Sequence, residues 1–427
     1  MIKLQPRQFP RTLSLIIALA ALLLVQAVAV AQTDTGRIVG TVKDVNGGLV
    51  PGAAVTAKNE RTGEERTATS NEEGTYIVSV LKPSTYTISV TGQNLSATVN
   101  SVQLNVGQEL DLDLTLQATG VAASVDVSAG SSEAAIDTSS ARMGANVNQR
   151  EVAGLPLNGR QLSQLYLQAP GSVNTGSGTF GDIRFSGRAV EQNIVRYDGV
   201  EGSAVIDSSP GNLNGEVPSP FRLQSSLENV QEFRVDSSNY PAEYGTGTGG
   251  QINVVTKSGG NQFHGSVFEY LRNDALDAAN FFDNIIGKKA PLRLNQFGGS
   301  IGGPIVRDKT FFFFSYEGYR LRAGVNSIET VPGQASRICA APAGTGSVAC
   351  NANILPLLPA FRDPSVAVLR VGPDLFDTVQ LQANNSVDEN AVAFRFDHRF
   401  TGKHSMYFRF FRDQGKNTQP EGVTGRR

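Results

Sequence analysis

Tryptophan is absent from this chain of 427 residues, histidine occurs three times and cysteine twice. So few ligand-type side chains leave little material for metal or nucleophilic catalysis. His264, His398 and His404 all fall in strand or hairpin contexts, and none has the partner spacing of an HExxH helix. His398 and His404 flank a hairpin and are placed to meet a cation across it, although surface or lumen histidines give the same pattern. No P-loop or CxxC is present. Gly245 to Gly250 satisfies GxGxxG by letters, but a strand pattern (Ile252, Val254, Val255) follows where a dinucleotide fold needs a helix. We read it as a flexible glycine loop. Asp198 and Glu201 are turn carboxylates suited to hydrogen bonding more than to acid–base work. No catalytic, cofactor-binding or metal residue is therefore assigned. Charge of one sign is also lacking: 37 Lys and Arg stand against 39 Asp and Glu, a net −2, so no basic face points to nucleic acid.

What is present begins with an export signal. Lys3, Arg7 and Arg11 form a positive n-region, Leu13 to Val25 is apolar, and Ala29-Val30-Ala31 supplies the small residues of a cleavage site before Gln32. A membrane anchor is the alternative, since Leu13 to Ala31 approaches the roughly 20 residues that span a bilayer. Gln26 interrupts that run and no basic stop-transfer cluster follows. In an exported chain, Cys339 and Cys350 read as a local disulfide clipping a loop of about ten residues.

Beyond residue 31 the hydrophobic period is two almost everywhere. Residues 36–116 give short alternating runs broken by turn chemistry. Ile38, Gly40 and Val42 precede turns at Asp44 to Gly48 and Pro51-Gly52, and Val55 and Ala57 precede a hairpin tip at Thr62-Gly63. Tyr76, Val78, Val80 and Tyr86, Ile88, Val90 follow. Such spacing predicts a small antiparallel sandwich. Residues 117–148 are rich in Ala, Ser and Gly and read as a linker. Within it, Val121 to Ala129 is extended and β-favouring, suited either to pairing with another protein's sheet edge or to being the next domain's first strand. Residues 149–256 read as a mixed unit, with helices over Gln149 to Gly154 and Asn158 to Gln168 and four short strands from Ile183 to Thr256. Leu162, Leu165 and Tyr166 lie on one helical face.

These segments carry a resemblance. GRIVGTVKDVNGGLVPGAAV with the strands after it resembles the carboxypeptidase regulatory-like domain, a transthyretin-like β-sandwich; Ser84 stands where that family usually has glycine. LPLNGR (155–160), IRFSGR (183–188), VRYDGVEG (195–202) and ENVQEFRVDSSNYPAEYG (228–245) resemble the plug of TonB-dependent outer-membrane receptors. GGQINVVTKSGGNQFHGSVFEYLRND and LNQFGGSIGGPIVRDKTFFFFSYEGYR extend the likeness to their Oar-like branch. Thr246 replaces a more usual arginine. The resemblance implies a non-catalytic receptor or transporter, a periplasmic N-terminal part, outer-membrane lipid around a barrel, and an extracellular ligand that the sequence does not identify. It also implies the TonB energy-transducing complex as partner. The TonB box would lie within Val121 to Ala129, with Val121, Ser124, Val125, Asp126 and Val127 as contacts.

The expected fold is thus mainly β: a transthyretin-like sandwich, a small α+β plug, and the first strands of an incomplete transmembrane β-barrel over 257–427. Val392, Phe394 and Phe396 alternate with Ala393, Arg395 and Asp397; Met406, Phe408 and Phe410 alternate with Tyr407, Arg409 and Phe411. That pattern puts apolar groups toward lipid and arginines in a hydrated lumen. Phe311 to Phe314, Tyr316 and Tyr319 suit an aromatic girdle, and Arg322 to Asn390 a long extracellular loop. About five strands follow Asn261, whereas membrane barrels begin at 8, so the chain reads as the N-terminal part of a longer receptor. Two other readings remain: an Oar-like surface adhesion or organising protein, and a soluble periplasmic remnant of sandwich plus plug.

Overall fold

The alternating runs become three bodies in the computed structural model. It describes residues 35–118, 124–126, 141–157, 160–174, 183–202, 226–240, 244–245, 247–279, 284, 289–333, 353, 356, 368–371, 376–402 and 404–418. The export signal, Val121, Val127, Thr246, Cys339 and Cys350 lie outside the described residues.

The first body is a nine-stranded sandwich. Its strands are β1 (Gly36–Asp44), β2 (Ala54–Asn59), β3 (Glu65–Thr69), β4 (Thr75–Leu81), β5 (Ser84–Gly92), β6 (Leu95–Leu104), β7 (Glu109–Asp111), β8 (Leu114–Ala118) and β9 (Ser124–Asp126). The main path runs β3-β2-β5-β6-β8-β1-β4, with β7 beside β1 and β9 beside β6. Alternation brings Ile38, Val42, Val55, Tyr76, Val78, Tyr86, Ile88 and Val90 into one core. It breaks on β4, where Val80 at φ 59° is exposed and Leu81 is buried instead. Each core side chain contributes about 1.5–3 kcal/mol by leaving water. Ser84, at the family's glycine position, is buried and donates to Asn59 Oδ1 at 3.2 Å.

The second body has a five-stranded sheet ordered β10-β15-β16-β13-β14 and a separate β11-β12 pair. Its strands are β10 (Met143–Val147), β11 (Ser172–Asn174), β12 (Ile183–Phe185), β13 (Ile194–Tyr197), β14 (Val200–Glu201), β15 (Val230–Ser238) and β16 (Gln251–Thr256). All six residues of the central β16 are buried. β10 lies inside the stretch expected to be a linker. Gly144 permits its close pairing with β15, since a Cβ there would sit 2.2 Å from the Val235 carbonyl. Helix α1 (Gln149–Gly154) is started by a capping box: Asn148 accepts from the Glu151 amide while Glu151 accepts from the Asn148 amide. The second expected helix is a 3-10 helix over Leu162–Gln168. Pro170 blocks continuation, and the shorter i to i+3 bonds still bury Leu162 and Leu165. The glycine loop is packed at Gly247, Gly249 and Gly250, whereas a Cβ on Gly245 would meet nothing within 4 Å. A Cβ on Gly249 would meet Asn193 Oδ1 at 2.4 Å, and one on Gly250 would meet the Phe185 ring at 2.3 Å.

The third body is a barrel-like antiparallel sheet of six strands: β17 (His264–Asn273), β18 (Leu292–Val306), β19 (Thr310–Pro332), β20 (Val368–Val371), β21 (Phe376–Arg399) and β22 (Ser405–Thr418). The sequence pattern suggested about five. The extra strand, β20, lies in the stretch assigned to a loop, and β19 and β21 continue their ladder from Thr310↔His398 to Pro332↔Phe376. The loop between Arg322 and Asn390 is correspondingly shorter. At about 3.3 Å per residue these two strands run well past a hydrocarbon layer of about 30 Å. The aromatic block does not form one girdle. Alternation buries Phe311, Phe313 and Tyr319 on the inner face and leaves Phe314 on the outer one.

Phe233 is fully buried in the second body, edge-on to Tyr166 at 5.3 Å. Phe233→Ala should remove about 3–5 kcal/mol from that core. Limited proteolysis across a urea series is expected to cut residues 141–256 earlier than in the parent, with the sandwich cutting point unchanged.

Candidate functional site

The small sheet is seated against the inner face of the barrel-like wall by two polar clusters. The first begins at a tight hairpin: Asp198 (φ 48°) and Gly199 (φ 80°) join β13 to β14 in the geometry of a type I′ turn. This turn holds Asp198 with its side chain 2% exposed. Its carboxylate accepts from the Thr256 amide (2.8 Å) and hydroxyl (2.6 Å). From the wall, Arg409 Nη1 reaches it at 3.0 Å and Arg395 Nη1 at 3.3 Å. Arg395 also donates twice to Asp397, at 2.9 and 3.1 Å, and to the Thr256 carbonyl at 3.1 Å. The Tyr407 hydroxyl donates to the Asp198 carbonyl at 3.1 Å, and its ring lies under the Arg395 guanidinium. Arg395, Asp397, Tyr407 and Arg409 do point inward, as alternation predicts. Arg395 is not hydrated there, however. It is 7% exposed and fully engaged, because the small sheet fills the space water would occupy.

The second cluster gathers around Glu228 and Arg160. Ser226 caps a 3-10 turn over Leu227–Asn229 and presents Glu228 to the wall. Glu228 accepts from Arg160 Nη2 at 3.0 Å, Ser266 Oγ at 2.7 Å and Ser300 Oγ at 3.2 Å. Burial opposes the Glu228 charge, but Ser266, Lys257 and Arg160 outweigh it and hold the carboxyl below its ordinary range. The Arg160 guanidinium lies 4.2 Å from the Phe268 ring centroid and 3.7 Å from Glu317, which is 1% exposed. Glu317 accepts from Gln296 at 2.6 Å and from Ser226, and Ser315 donates to Asn229. The motif LPLNGR thus contributes its arginine as a bridge between the two bodies.

A third contact ties the sandwich to both. The Thr62-Gly63 hairpin tip carries Arg61, whose guanidinium donates to the Ser258 carbonyl at 3.0 Å while its own carbonyl accepts from the Asn261 amide at 2.9 Å. Arg399 of the wall donates to the Gly63 carbonyl at 3.3 Å. A cavity at this junction is lined by Arg61, Lys82, Ser258, Phe311, His398 and Arg399, among others. On β15, Gln231 donates to the Pro83 carbonyl at 3.0 Å, and Glu232 accepts from the Val106 amide at 2.5 Å. Glu232 is 2% exposed, and desolvation raises its pKa to about 8 despite the Val106 amide and Arg61.

The remaining candidates sit apart from the Asp198 and Glu228 clusters, with His398 at the junction cavity. His398 shares a hydrogen bond with Thr310 at 2.9 Å between Phe396 and Phe400, and His404 is exposed in the β21–β22 turn. Among the described residues no three His, Cys, Asp or Glu side chains converge as a metal site. Glu201 is exposed on β14. Ser124, Val125 and Asp126 form β9, parallel to Thr98, Val99 and Asn100 of β6. No local pattern marks Arg160, Glu228 and Glu317 as a group, although Arg160 lies within LPLNGR and Glu228 opens ENVQEF.

Asp198→Asn leaves the buried Arg395 with reduced compensation and takes the partner from the half-buried Arg409, and should loosen the seat by about 3 kcal/mol. Amide exchange of β13 and β16 is expected to accelerate while exchange in the sandwich core does not. Glu232 gives a pH signature. Docked, it keeps its proton up to about 8, whereas exposed it releases it near 4.5. Sandwich docking is therefore strongest below the lower value and weakens as pH rises through the window to the higher one. Val106 amide protection should fall across that window, and Glu232→Gln should flatten the dependence.

The chain matches the model of the carboxypeptidase regulatory-like domain over residues 37–117 and that of an outer membrane beta barrel domain over residues 255–426. It is similar to the TonB-dependent transporter Oar of Myxococcus xanthus, 29% identical over 316 residues, covering 70% of this chain and 28% of that protein. Among solved structures it is similar to the siderophore receptor PirA from Acinetobacter baumannii, at 16% identity and a TM-score of 0.37, covering 65% of this chain and 32% of that one. The ferric enterobactin receptor of Pseudomonas aeruginosa is 20% identical at a TM-score of 0.37, covering 66% of this chain and 34% of that one. The chain spans only 28% of the length of Oar. It is an outer-membrane protein homologous to the TonB-dependent transporter Oar, with a carboxypeptidase regulatory-like domain ahead of an outer membrane β-barrel domain.

Proposed function

We propose that this chain is the receptor and transport component of a TonB-dependent system, with residues 149–256 as its plug and no chemical step of its own. The polar seat carries this reading. Asp198, Glu228 and Arg160 hold the small sheet against the wall through ion pairs and hydrogen bonds, whereas its apolar core is internal to it. Contacts of that kind fix one orientation and exchange for water once parted, which suits a body that has to shift inside its barrel. The homology to a transporter supports the same conclusion. In this reading the TonB energy-transducing complex engages the extended segment around Val121, Ser124, Val125, Asp126 and Val127. Cys339 and Cys350 clip the extracellular loop with a disulfide, and the ligand enters from outside. The wall's outer strands β17 and β22 pair on one side only among the described residues. Further strands must satisfy those edges in lipid.

Deletion of Val121 to Ala129 tests the reading. Capture of the host TonB protein's periplasmic domain by the full chain should be lost, while outer-membrane insertion, read by heat-modifiable gel mobility, is retained. Unchanged capture would remove the transport reading in favour of surface adhesion.

A further inference from the structure

Where the sandwich tip meets the wall, cationic side chains from both bodies face one cavity. Arg61 and Lys82 come from the sandwich, and Lys309 and Arg399 from the turn end of the wall strands. What these cations touch is neutral. Arg61 donates to the Ser258 carbonyl, and Arg399 to the Gly63 and Asp308 carbonyls. The ammonium groups of Lys82 and Lys309 make no hydrogen bond or ion pair among the described residues. The carboxylates of the same lining are already engaged. Asp397 accepts twice from Arg395, Glu64 accepts from Arg66 at 3.4 Å, and Asp308 accepts from Asn261 at 2.7 Å. Desolvation lowers the pKa of Arg61 and nearby Arg395 lowers it further, while Asp397 and Glu232 restore it only in part. A lining of this kind calls for an anion.

The cavity encloses about 480 Å³ unfilled by atoms, its open mouth included. That takes a phosphate group whose substituent leaves through the opening. Donors converge from two bodies, which suits a tetrahedral anion with several oxygens better than a planar carboxylate. We propose that this cavity is a phosphate-binding site, in which Lys82 and Lys309 close on a phosphate or phosphodiester between Arg61 and Arg399 and bridge the sandwich to the wall. Both a free phosphate and a lipid headgroup carry this chemistry. The setting favours the headgroup. The short turns of a membrane barrel lie at its periplasmic rim, and apolar side chains are exposed in these same turns. Met406 lines the cavity and is 48% exposed, with Phe400 and Val306 exposed beside Arg399 and Lys309. The inference does not depend on the transport reading, since the site needs only the sandwich and the rim of the wall.

The test uses the full chain, purified in a neutral detergent. The probes are dihexanoyl phosphatidylglycerol, inorganic phosphate, and dihexanoylglycerol, which has the tails without the phosphate. Calorimetric titration should show binding of the first, competition by the second and nothing from the third. Lys82→Ala with Lys309→Ala should weaken binding about tenfold or more, as expected for two charged contacts. These side chains hold nothing else, so the thermal unfolding midpoint should not move. Lys43→Ala with Lys416→Ala removes the same charge elsewhere and should leave binding intact. Phosphatidylglycerol binding well above phosphate assigns the site to a headgroup, and equal binding assigns it to free phosphate. Bound phosphate should also slow amide exchange at Thr62 and Gly63. Absence of binding by both phosphate probes, equal binding of dihexanoylglycerol, or equal weakening in the control pair would overturn the site. Binding without slowed exchange at the tip would overturn the bridge.

Discussion

The carboxylate of Asp198 is where the small sheet and the wall meet most closely, and the local structure on both sides is arranged around it. A turn with two positive-φ residues aims it outward, Thr256 satisfies it from within its own body, and Arg395 and Arg409 close on it from adjacent wall strands. The buried guanidinium of Arg395, with the half-buried one of Arg409 beside it, demands an anion; Asp198 and Asp397 together supply it. With this contact formed, the register of β21 and β22 against the small sheet is set, and Arg160 and Glu228 fall opposite Glu317 and Ser266 on the neighbouring strands.

Apolar and polar contacts divide the labour. The sandwich and the small sheet each keep their aliphatic and aromatic residues in an internal core. Between bodies the principal bonds are ion pairs, hydroxyls and main-chain carbonyls. Buried ion pairs give up much of their attraction to desolvation, so they contribute less to holding the bodies together than to choosing one orientation. The outcome is a sandwich and a small sheet that each have their own core and are joined to the wall by contacts that water can replace.

The sandwich belongs to this arrangement and is more than an appendage. Its β2–β3 tip places Arg61 where the small sheet and the turn between β18 and β19 converge, and Gly63 allows the close approach of Asp308. Glu232 is kept largely neutral at this junction by desolvation, which makes the contact sensitive to pH in a range where ordinary carboxylates are silent.

Period-two alternation was enough to mark the chain as mainly β and to set the inward direction of Arg395 and Arg409 and most of the sandwich core, because side-chain direction along a strand depends only on neighbours in the chain. The turn at Asp198 was legible for the same reason. The division into sandwich, plug and barrel came from the family resemblance. Strand length was not: β19 and β21 outrun their hydrophobic pattern since each is extended by pairing with the other, not by its own composition. The 3-10 helix was misjudged because its buried residues fit both helical periods. The polar seat could be decided only in three dimensions. Asp198 and Arg409 are 211 residues apart in the chain, and no local pattern distinguishes a hydrated lumen arginine from one that is buried and paired. The sequence determined which residues face inward; the tertiary structure decided what they meet there, because only folding brings a carboxylate within 3.0 Å of a distant guanidinium and removes the water between them.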